Sequence, residues 1–182
     1  MKKTDKKKGG TSGQYRWAFT VFLMAVVMSA VLSLVSESIL AGAGMAVALL
    51  ILAGFICLGI LFDIIGVATT AADPKPFHSM AAHKEKGAKE ALLLLRNASR
   101  VSSVCNDVVG DICGIVSGAT GAVIVAQLQR AFNIQTVLLS VAVTALVSGL
   151  TIGGKALSKT FAMKQSTRVV YLAGRFLHLF HR

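Results

Sequence analysis

Four long apolar segments dominate the pattern of hydrophobic and polar positions along this chain. They cover residues 17–35, 44–71, 101–128 and 135–156. An α-helix needs about 20 residues to cross the hydrocarbon core of a bilayer, and these segments are close to that length or longer. None of them alternates apolar and polar positions as the strands of a membrane barrel do. The pattern therefore predicts an all-α integral membrane protein with four transmembrane helices.

The two ends of the chain differ from these spans and from each other. Residues 1–15 are rich in lysine and glycine and have no apolar face to bury, which predicts a disordered basic leader. In residues 167–182, a period of 3.6 residues gathers the apolar side chains on one face, which predicts an amphipathic helix in the membrane interface. That face comprises Val169, Val170, Leu172, Ala173, Phe176, Leu177 and Phe180.

The composition excludes most soluble proteins. Of the 182 residues, 54% are hydrophobic and only 15% are charged, whereas about 25% of the residues are charged in a typical soluble domain. The formal net charge is +11, from 19 lysines and arginines against 8 acidic residues. Because so little of the chain is polar, this positive charge is typical of a membrane protein rather than of a soluble basic one.

The basic residues are distributed unevenly. All but one of the 19 fall in three blocks, which precede the first span, separate the second from the third and follow the fourth. Four crossings place these three blocks on one side of the membrane, and the positive-inside rule assigns that side to the cytoplasm. We therefore expect a multi-pass protein of the cell (inner or plasma) membrane, with both termini cytoplasmic. The leader is expected to be attracted to anionic lipid headgroups.

Two other classes of function are disfavoured. The lysine run has no interleaved aromatic residues and no folded nucleic-acid-binding module beside it, so nucleic acid is not an expected partner. The sequence contains no HExxH or GxSxG motif and no recognisable nucleophile–base pair, so we do not expect an enzyme. A covalently bound cofactor is not expected either.

Three carboxylates lie inside the predicted spans: Asp63 in the second, and Asp107 and Asp111 in the third. An ionisable residue at the centre of a span costs about 2.5–3.5 kcal/mol on insertion scales, and its presence therefore indicates function. Asp107 and Asp111 are four residues apart and share a helix face, with Asn106 beside them. No lysine or arginine within the spans is expected to neutralise these aspartates.

This concentration of oxygen ligands suits a hard cation, because Mg²⁺ binds one or two carboxylates and keeps several of its waters. We predict a site for Mg²⁺ (or Na⁺) formed by Asp63, Asn106, Asp107 and Asp111. The alternative is that the aspartates are protonated and form hydrogen bonds between helices.

Small and polar residues form a stripe on each of the last three spans, at steps of three and four residues. Such spacing lets neighbouring helices approach closely, and the GxxxG pairs of the third span are compatible with a homodimer. We expect the three stripes to face one another. They comprise Gly59, Asp63, Gly66, Thr70 and Asp73; Ser103, Asp107, Gly110, Gly114, Gly118 and Gly121; and Ser140, Thr144, Ser148 and Thr151. The predicted residues of helix packing or of an ion path are Ser103, Gly110, Gly114, Ser148 and Thr151.

The segments after the first span carry a family resemblance. Phe62 and Asp63 lie near the end of a span, and the basic segment KGAKEALLLL follows at 86–95, at the separation that the family named below has between its corresponding segments. Residues 150–155, LTIGGK, come near the end of the last span. This order resembles the transmembrane domain of the CorC/CNNM (CorB-like) magnesium transport proteins, in which the corresponding segments read F-S-A-S-E-T-A, G-x-x-R-A-R-R-A-L-x-L-L and G-E-I-x-P-K.

Other positions match the family less closely. Gly110 and Asp111 are similar to the start of the family's G-N-N. The serine and glutamate of the first motif and the glutamate and proline of the last are replaced by Ile65, Gly66, Thr151 and Gly154. The resemblance places the domain at residues 44–182, with a cytoplasmic helical hairpin at 73–100 and the first helix, 16–36, as an addition.

The resemblance implies transport of a divalent cation, Mg²⁺ or Co²⁺, at an acidic site within the membrane. Members of the family are usually dimers. The pair of CBS nucleotide-binding modules that commonly follows this domain has no counterpart in the sequence, so we expect no regulation by a nucleotide on this chain. The alternative is a non-transporting membrane interaction or regulatory protein that uses the same helix-packing surfaces.

Overall fold

The computed structural model describes residues 11–40, 42, 44–133 and 137–180, and every regular element in these residues is a helix. The first ten residues of the predicted leader lie outside the described residues. The elements are α1 (Thr11–Leu40), α2 (Met45–Ala71), α3 (Lys75–Ala82), α4 (Ala88–Arg96), α5 (Ala98–Ser102), a π-helical segment (Ser103–Gly110), α6 (Asp111–Phe132), α7 (Val137–Lys164) and α8 (Ser166–Phe180).

Four of these helical stretches are long and apolar enough to cross a membrane, which confirms the prediction of a multi-pass membrane protein. They are Tyr15–Leu40 in α1, Met45–Ala71, Ala98–Phe132 and Val137–Lys164. The third combines α5, the π-helical segment and α6, and is called the central span below. The helices extend beyond the predicted bounds: α1 begins at Thr11, inside the predicted leader, and ends at Leu40, the third stretch exceeds 101–128 by three and four residues, and α7 continues eight residues beyond residue 156.

The central span is the helix against which the others pack. In its most apolar stretch 61% of the residues are buried within the protein, against 11% or less in the other three. The outer helices therefore expose long rows of large apolar side chains, such as Phe22, Leu50 and Leu146. In water such rows would be unfavourable, but in a bilayer they face hydrocarbon of the same polarity.

Contacts along the central span define the direction of its neighbours. The α1 helix runs parallel to it, because Trp17 lies near Arg100 at one end while Ser36 Oγ lies 3.5 Å from Thr120 Oγ1 towards the other. The α2 helix is antiparallel: Gly59 approaches Cys113, and further along α2 Gly66 approaches Asn106.

The α7 helix is also antiparallel to the central span. A Cβ at Gly121 would lie 3.6 Å from the Val147 side chain, and one at Gly110 would lie 3.4 Å from Lys155 Nζ. The four spans therefore alternate in direction along the chain. The start of α1, the end of α2, the start of α5 and the end of α7 all lie at one end of the bundle, which we call the basic end.

The three remaining helices cover the basic end. The α2 helix stops at Ala71, because the residue before Pro74 is restricted to extended conformations. Phe77 of α3, Ala91 of α4 and Val170 of α8 are buried in one cluster with residues from α2 and α7, Ala68 and Ala162. This cluster fastens the three short helices to the ends of the membrane-spanning ones. The cytoplasmic location of the segment 73–100 stays a prediction.

The α4 and α8 helices cross at the point where Gly87 and Gly174 meet. Gly87 has a φ of +89°, a conformation in which other residues are strained. A Cβ at Gly174 would lie 2.5 Å from the Gly87 carbonyl oxygen and 2.8 Å from the Ala91 Cβ. A hydrogen bond of 2.7 Å between His178 Nδ1 and Glu90 Oε1 links the same two helices one turn further on. The backbones at the crossing therefore leave no room for a side chain.

We predict that Gly174→Ala lowers the free energy of unfolding by about 1–3 kcal/mol, the usual cost of adding a methyl group to a closely packed contact. The measurement is reversible denaturation of the purified protein in detergent micelles. Gly149→Ala is the matched control, since a Cβ there meets no atom within 4 Å. Equal stabilities of the two variants would contradict the close crossing of α4 and α8.

Candidate functional site

The candidate site lies where α2 packs against the π-helical segment and α6. A Cβ at Gly59 would be 3.1 Å from Cys113 Cβ and 3.6 Å from the Gly110 carbonyl oxygen. At Gly66, two turns along α2, a Cβ would overlap the side chain of Asn106. Asp63 lies between these two glycines on the same face of α2. The close approach of the helices therefore holds Asp63 against the π-helical segment.

Asp63 and Asn106 each present an unsatisfied oxygen in this interface. Asp63 is only 4% exposed, and its Oδ2 has no hydrogen-bond partner in the described part of the chain. Asn106 donates from Nδ2 to Ser102 Oγ at 3.1 Å, while its buried Oδ1 has no partner among the same residues. Leaving a buried acceptor unpaired costs about 1–3 kcal/mol, and more for a charged group. A cation or a proton at this position would relieve that cost.

The π-helical segment contributes Asn106 to the contact with α2. It spans eight residues, Ser103–Gly110, and each turn holds more residues than an α-helical turn. Asn106 is turned towards Gly66 of α2, whereas its neighbour Asp107 is exposed. Short π-helical stretches inside α-helices occur frequently at functional sites.

Lys155 of α7 approaches the same region and corrects one expectation. Its Nζ donates a hydrogen bond of 3.2 Å to the Gly110 carbonyl oxygen and lies 3.5 Å from Asp111 Oδ1. The prediction that no lysine or arginine within the spans neutralises the aspartates is therefore wrong for Asp111. Lys155 lies inside the predicted span 135–156, but its charge groups it with the basic block beyond that span, whereas in the structure its side chain meets the central span.

The other two predicted carboxylates lie elsewhere on the surface of the bundle. The side chain of Asp111 is 68% exposed, and Asp107 is exposed as well. Over residues 11–40, 44–133 and 137–180, no three histidine, cysteine, aspartate or glutamate side chains come together as a metal-binding group. The structure therefore brings Asp63 and Asn106 into one interface and does not add Asp107 and Asp111 to it. Their role as ligands stays a prediction.

The three polar stripes do not all face one another, which corrects a second expectation. On α2, Gly59, Asp63 and Gly66 are buried against the central span as predicted, while Thr70 is exposed. On α7, Ser148 is exposed, so this stripe is directed away from the other two.

The remaining predicted packing residues lie in different environments. Gly110 is buried, with its carbonyl oxygen bonded to Lys155. Ser103 is half-buried, and a Cβ at Gly114 would meet nothing within 4 Å. Thr151 donates its hydroxyl to the Val147 carbonyl oxygen of its own helix at 2.8 Å. Gly110 thus contacts α7 closely, as does Gly121 of the same predicted stripe through Val147.

Two contributors to the site were not identified from the sequence. Ser102 supports the Asn106 amide, and Lys155 binds the Gly110 carbonyl. The position of Lys155 inside an otherwise apolar segment was an available signal, since an intramembrane lysine is costly unless it has a partner. Ser102 precedes Asn106 by four residues, and this spacing, which places two side chains on one helix face, was an available signal.

Comparison with known proteins adds no assignment: no family model, curated protein or solved structure matches the chain.

We predict that Lys155→Met lowers the free energy of unfolding by about 1.5–3 kcal/mol, which is the contribution of a hydrogen bond to a charged group. Asp111→Asn should lower it by less than about 1 kcal/mol, because pairs that involve an exposed carboxylate contribute little. Denaturation of both variants in the same micelles measures the difference. A larger effect of Asp111→Asn would show that the ion pair, and not the contact with Gly110, is the important interaction.

Proposed function

We propose that this multi-pass membrane protein transports a divalent cation, Mg²⁺ or Co²⁺, and that Asp63 and Asn106 provide its central ligands. The observation that carries the proposal is the pair of buried oxygens, Asp63 Oδ2 and Asn106 Oδ1, which lack partners in the described structure. One carboxylate, one amide oxygen and retained waters form a ligand set that suits Mg²⁺. The resemblance of residues 44–182 to the CorC/CNNM transmembrane domain supports the same assignment.

The ion site in this proposal has two protein ligands, fewer than the four residues predicted from the sequence. Lys155 is engaged by Gly110 and Asp111, and it therefore neutralises the carboxylate that lies near the surface rather than the buried one. Asp63 is left as the buried carboxylate whose charge a bound ion compensates. Asp107 and Asp111 are assigned to the approach of the ion, where exposed carboxylates attract cations without dehydrating them fully.

The orientation in this proposal follows from charge. The basic end of the bundle lies in the cytoplasm by the positive-inside rule, with both termini on that side. Asp63 is eight residues from the end of α2 at the basic end and 18 from its start. At a rise of about 1.5 Å per residue, the site lies nearer the cytoplasmic surface than the opposite one. An ion from the cytoplasm has the shorter path to it.

A second candidate function is that of a non-transporting membrane interaction protein. It is favoured by the exposed hydroxyl stripe of α7, where Ser140, Thr144 and Ser148 line a shallow groove with nothing packed on it in the described structure. Hydroxyl groups in this position stabilise helix–helix contacts in membranes. In this alternative Asp63 is protonated and structural, and a second membrane protein or a second copy of the chain occupies the α7 face.

We predict that Asp63→Asn abolishes Mg²⁺ flux into proteoliposomes, measured with a Mg²⁺-sensitive dye inside the vesicles. The change removes the charge of the central ligand and keeps the volume of the side chain. We expect a loss of at least tenfold, which corresponds to about 1.4 kcal/mol of ion stabilisation.

Asp73→Asn is the matched control, since it makes the same chemical change at an exposed position outside the proposed ion site, and we expect it to retain most of the flux. Flux that persists in Asp63→Asn would contradict the site. An absence of flux from the well-folded native chain, with and without a Na⁺ gradient, would reject transport in favour of the interaction protein.

A further inference from the structure

We propose that the outer surface of α4, α5 and α8 is a binding surface for anionic phospholipids. This inference is independent of the proposed transport, because it concerns the exposed surface at the basic end and not the buried interface around Asp63. It rests on the pattern of exposed side chains, on their unpaired charges and on the position of the surface relative to the membrane-spanning helices.

Basic and large apolar residues alternate along the exposed face of α8. Val170 and Gly174 face the protein, while Arg168, Leu172, Arg175 and Leu179 follow one another at steps of four, three and four residues on the exposed side. Leu172 and Leu179 are 62% and 73% exposed. A row of this kind is unfavourable in water, whereas in the interfacial region of a bilayer the leucines enter the acyl chains and the arginines reach the phosphates.

The α4 and α5 helices continue this pattern beside α8. Lys89, Leu93, Arg96 and Arg100 are exposed and also follow one another at steps of four, three and four residues. Because α4 crosses α8 at the contact between Gly87 and Gly174 and α5 follows α4, we treat the two rows as parts of one surface at the basic end. We call the two rows together the basic–leucine surface.

The five basic side chains of the basic–leucine surface form no salt bridge with the described residues. Glu90, the acidic residue of α4, is half-buried and bonded to His178 at 2.7 Å. No aspartate or glutamate occurs in the sequence after Asp111. The surface therefore has a charge that an anionic ligand would complement.

The position of Arg100 places the surface at the level of lipid headgroups. Its guanidinium carbon lies 5.2 Å from the centre of the Trp17 ring, at the start of the apolar stretch of α1. Tryptophan at the end of a membrane-spanning helix occupies the interface between headgroups and hydrocarbon. The buried cluster of Val170, Ala162 and Ala68 fixes α8 to the ends of α7 and α2, so that the rest of the surface is held close to the same end.

An anionic lipid fits this surface better than an acidic protein does. A protein partner would have to cover the exposed leucines with apolar groups while pairing the interspersed arginines with carboxylates. The bilayer offers both chemistries next to each other, acyl chains beneath and phosphate groups above, and it is already in contact with the bundle. The ligand class is therefore a phospholipid with a net negative headgroup, such as phosphatidylglycerol.

The test is a count of the lipids retained by the full-length protein after mild solubilisation from vesicles of equimolar phosphatidylglycerol and phosphatidylcholine, by native mass spectrometry. We expect the native chain to retain phosphatidylglycerol in preference. R168Q and R175Q should each lower the apparent affinity for it about fivefold, the change expected from one basic side chain near an anionic surface. Arg130→Gln is the matched control, because Arg130 lies at the opposite end of the central span.

The predicted result is a loss of preference in R168Q, R175Q and their double variant, with Arg130→Gln unchanged. K89Q with R96Q, on α4, should lose the preference as well, which provides a second measurement if the α8 variants fold poorly. The proposal is overturned if the double variant retains as much phosphatidylglycerol as the native chain, or if Arg130→Gln lowers retention equally. Retention of a copurifying acidic protein in place of lipid would also overturn it.

Discussion

The close contact between α2 and the central span determines the arrangement of the rest of the bundle. Inside a membrane, apolar surface gains little by leaving lipid, so helices associate through close packing and polar contacts. Gly59 and Gly66 provide the close packing here, against Cys113 and Asn106. The same contact encloses Asp63 between the two glycines and excludes it from the surface. The interface that holds the two helices together is therefore the same one that buries the polar side chains. Lys155 of α7 contacts the central span beside this interface, at Gly110.

The enclosure of Asp63 has a chemical consequence. A carboxylate oxygen and an amide oxygen, both acceptors, are buried without donors in the described structure. The ammonium group of Lys155 does not pair with these two oxygens, because it contacts the Gly110 carbonyl and Asp111. A cation, a proton or a water molecule that donates to these oxygens completes such an interface. The transport proposal assigns a metal ion to this position, and the interaction-protein alternative assigns a proton.

Much of the fold could be predicted from the sequence, because the signals involved are long or repeated. The four spans follow from apolar segments near the length of a bilayer crossing, and the buried face of α2 follows from the spacing of Gly59, Asp63 and Gly66. The π-helical segment could not be predicted, since it depends on packing and not on local composition. Asn106 and Asp107 are consecutive residues and therefore point in different directions from the helix, so that Asn106 faces Gly66 while Asp107 is exposed.

The contact of Lys155 with the central span shows a second limit of what can be predicted from the sequence. Its charge groups it with the basic block that follows the last span, although position 155 lies inside the predicted span 135–156. The environment of a charged residue near the end of a span depends on which neighbouring helix its side chain meets, here Gly110 and Asp111 of the central span. Charge blocks identify the side of the membrane but not the partners of each residue.

The most direct test of the ion site is the infrared difference spectrum of the reconstituted protein with and without Mg²⁺, recorded for the native chain and for Asp63→Asn. The account predicts that Mg²⁺ changes a carboxylate band of the native chain and that this change is missing in Asp63→Asn. A neutral carboxylic acid band that is assigned to Asp63 and is insensitive to Mg²⁺ would contradict it. The buried carboxyl group would then be a protonated structural element of the α2 interface.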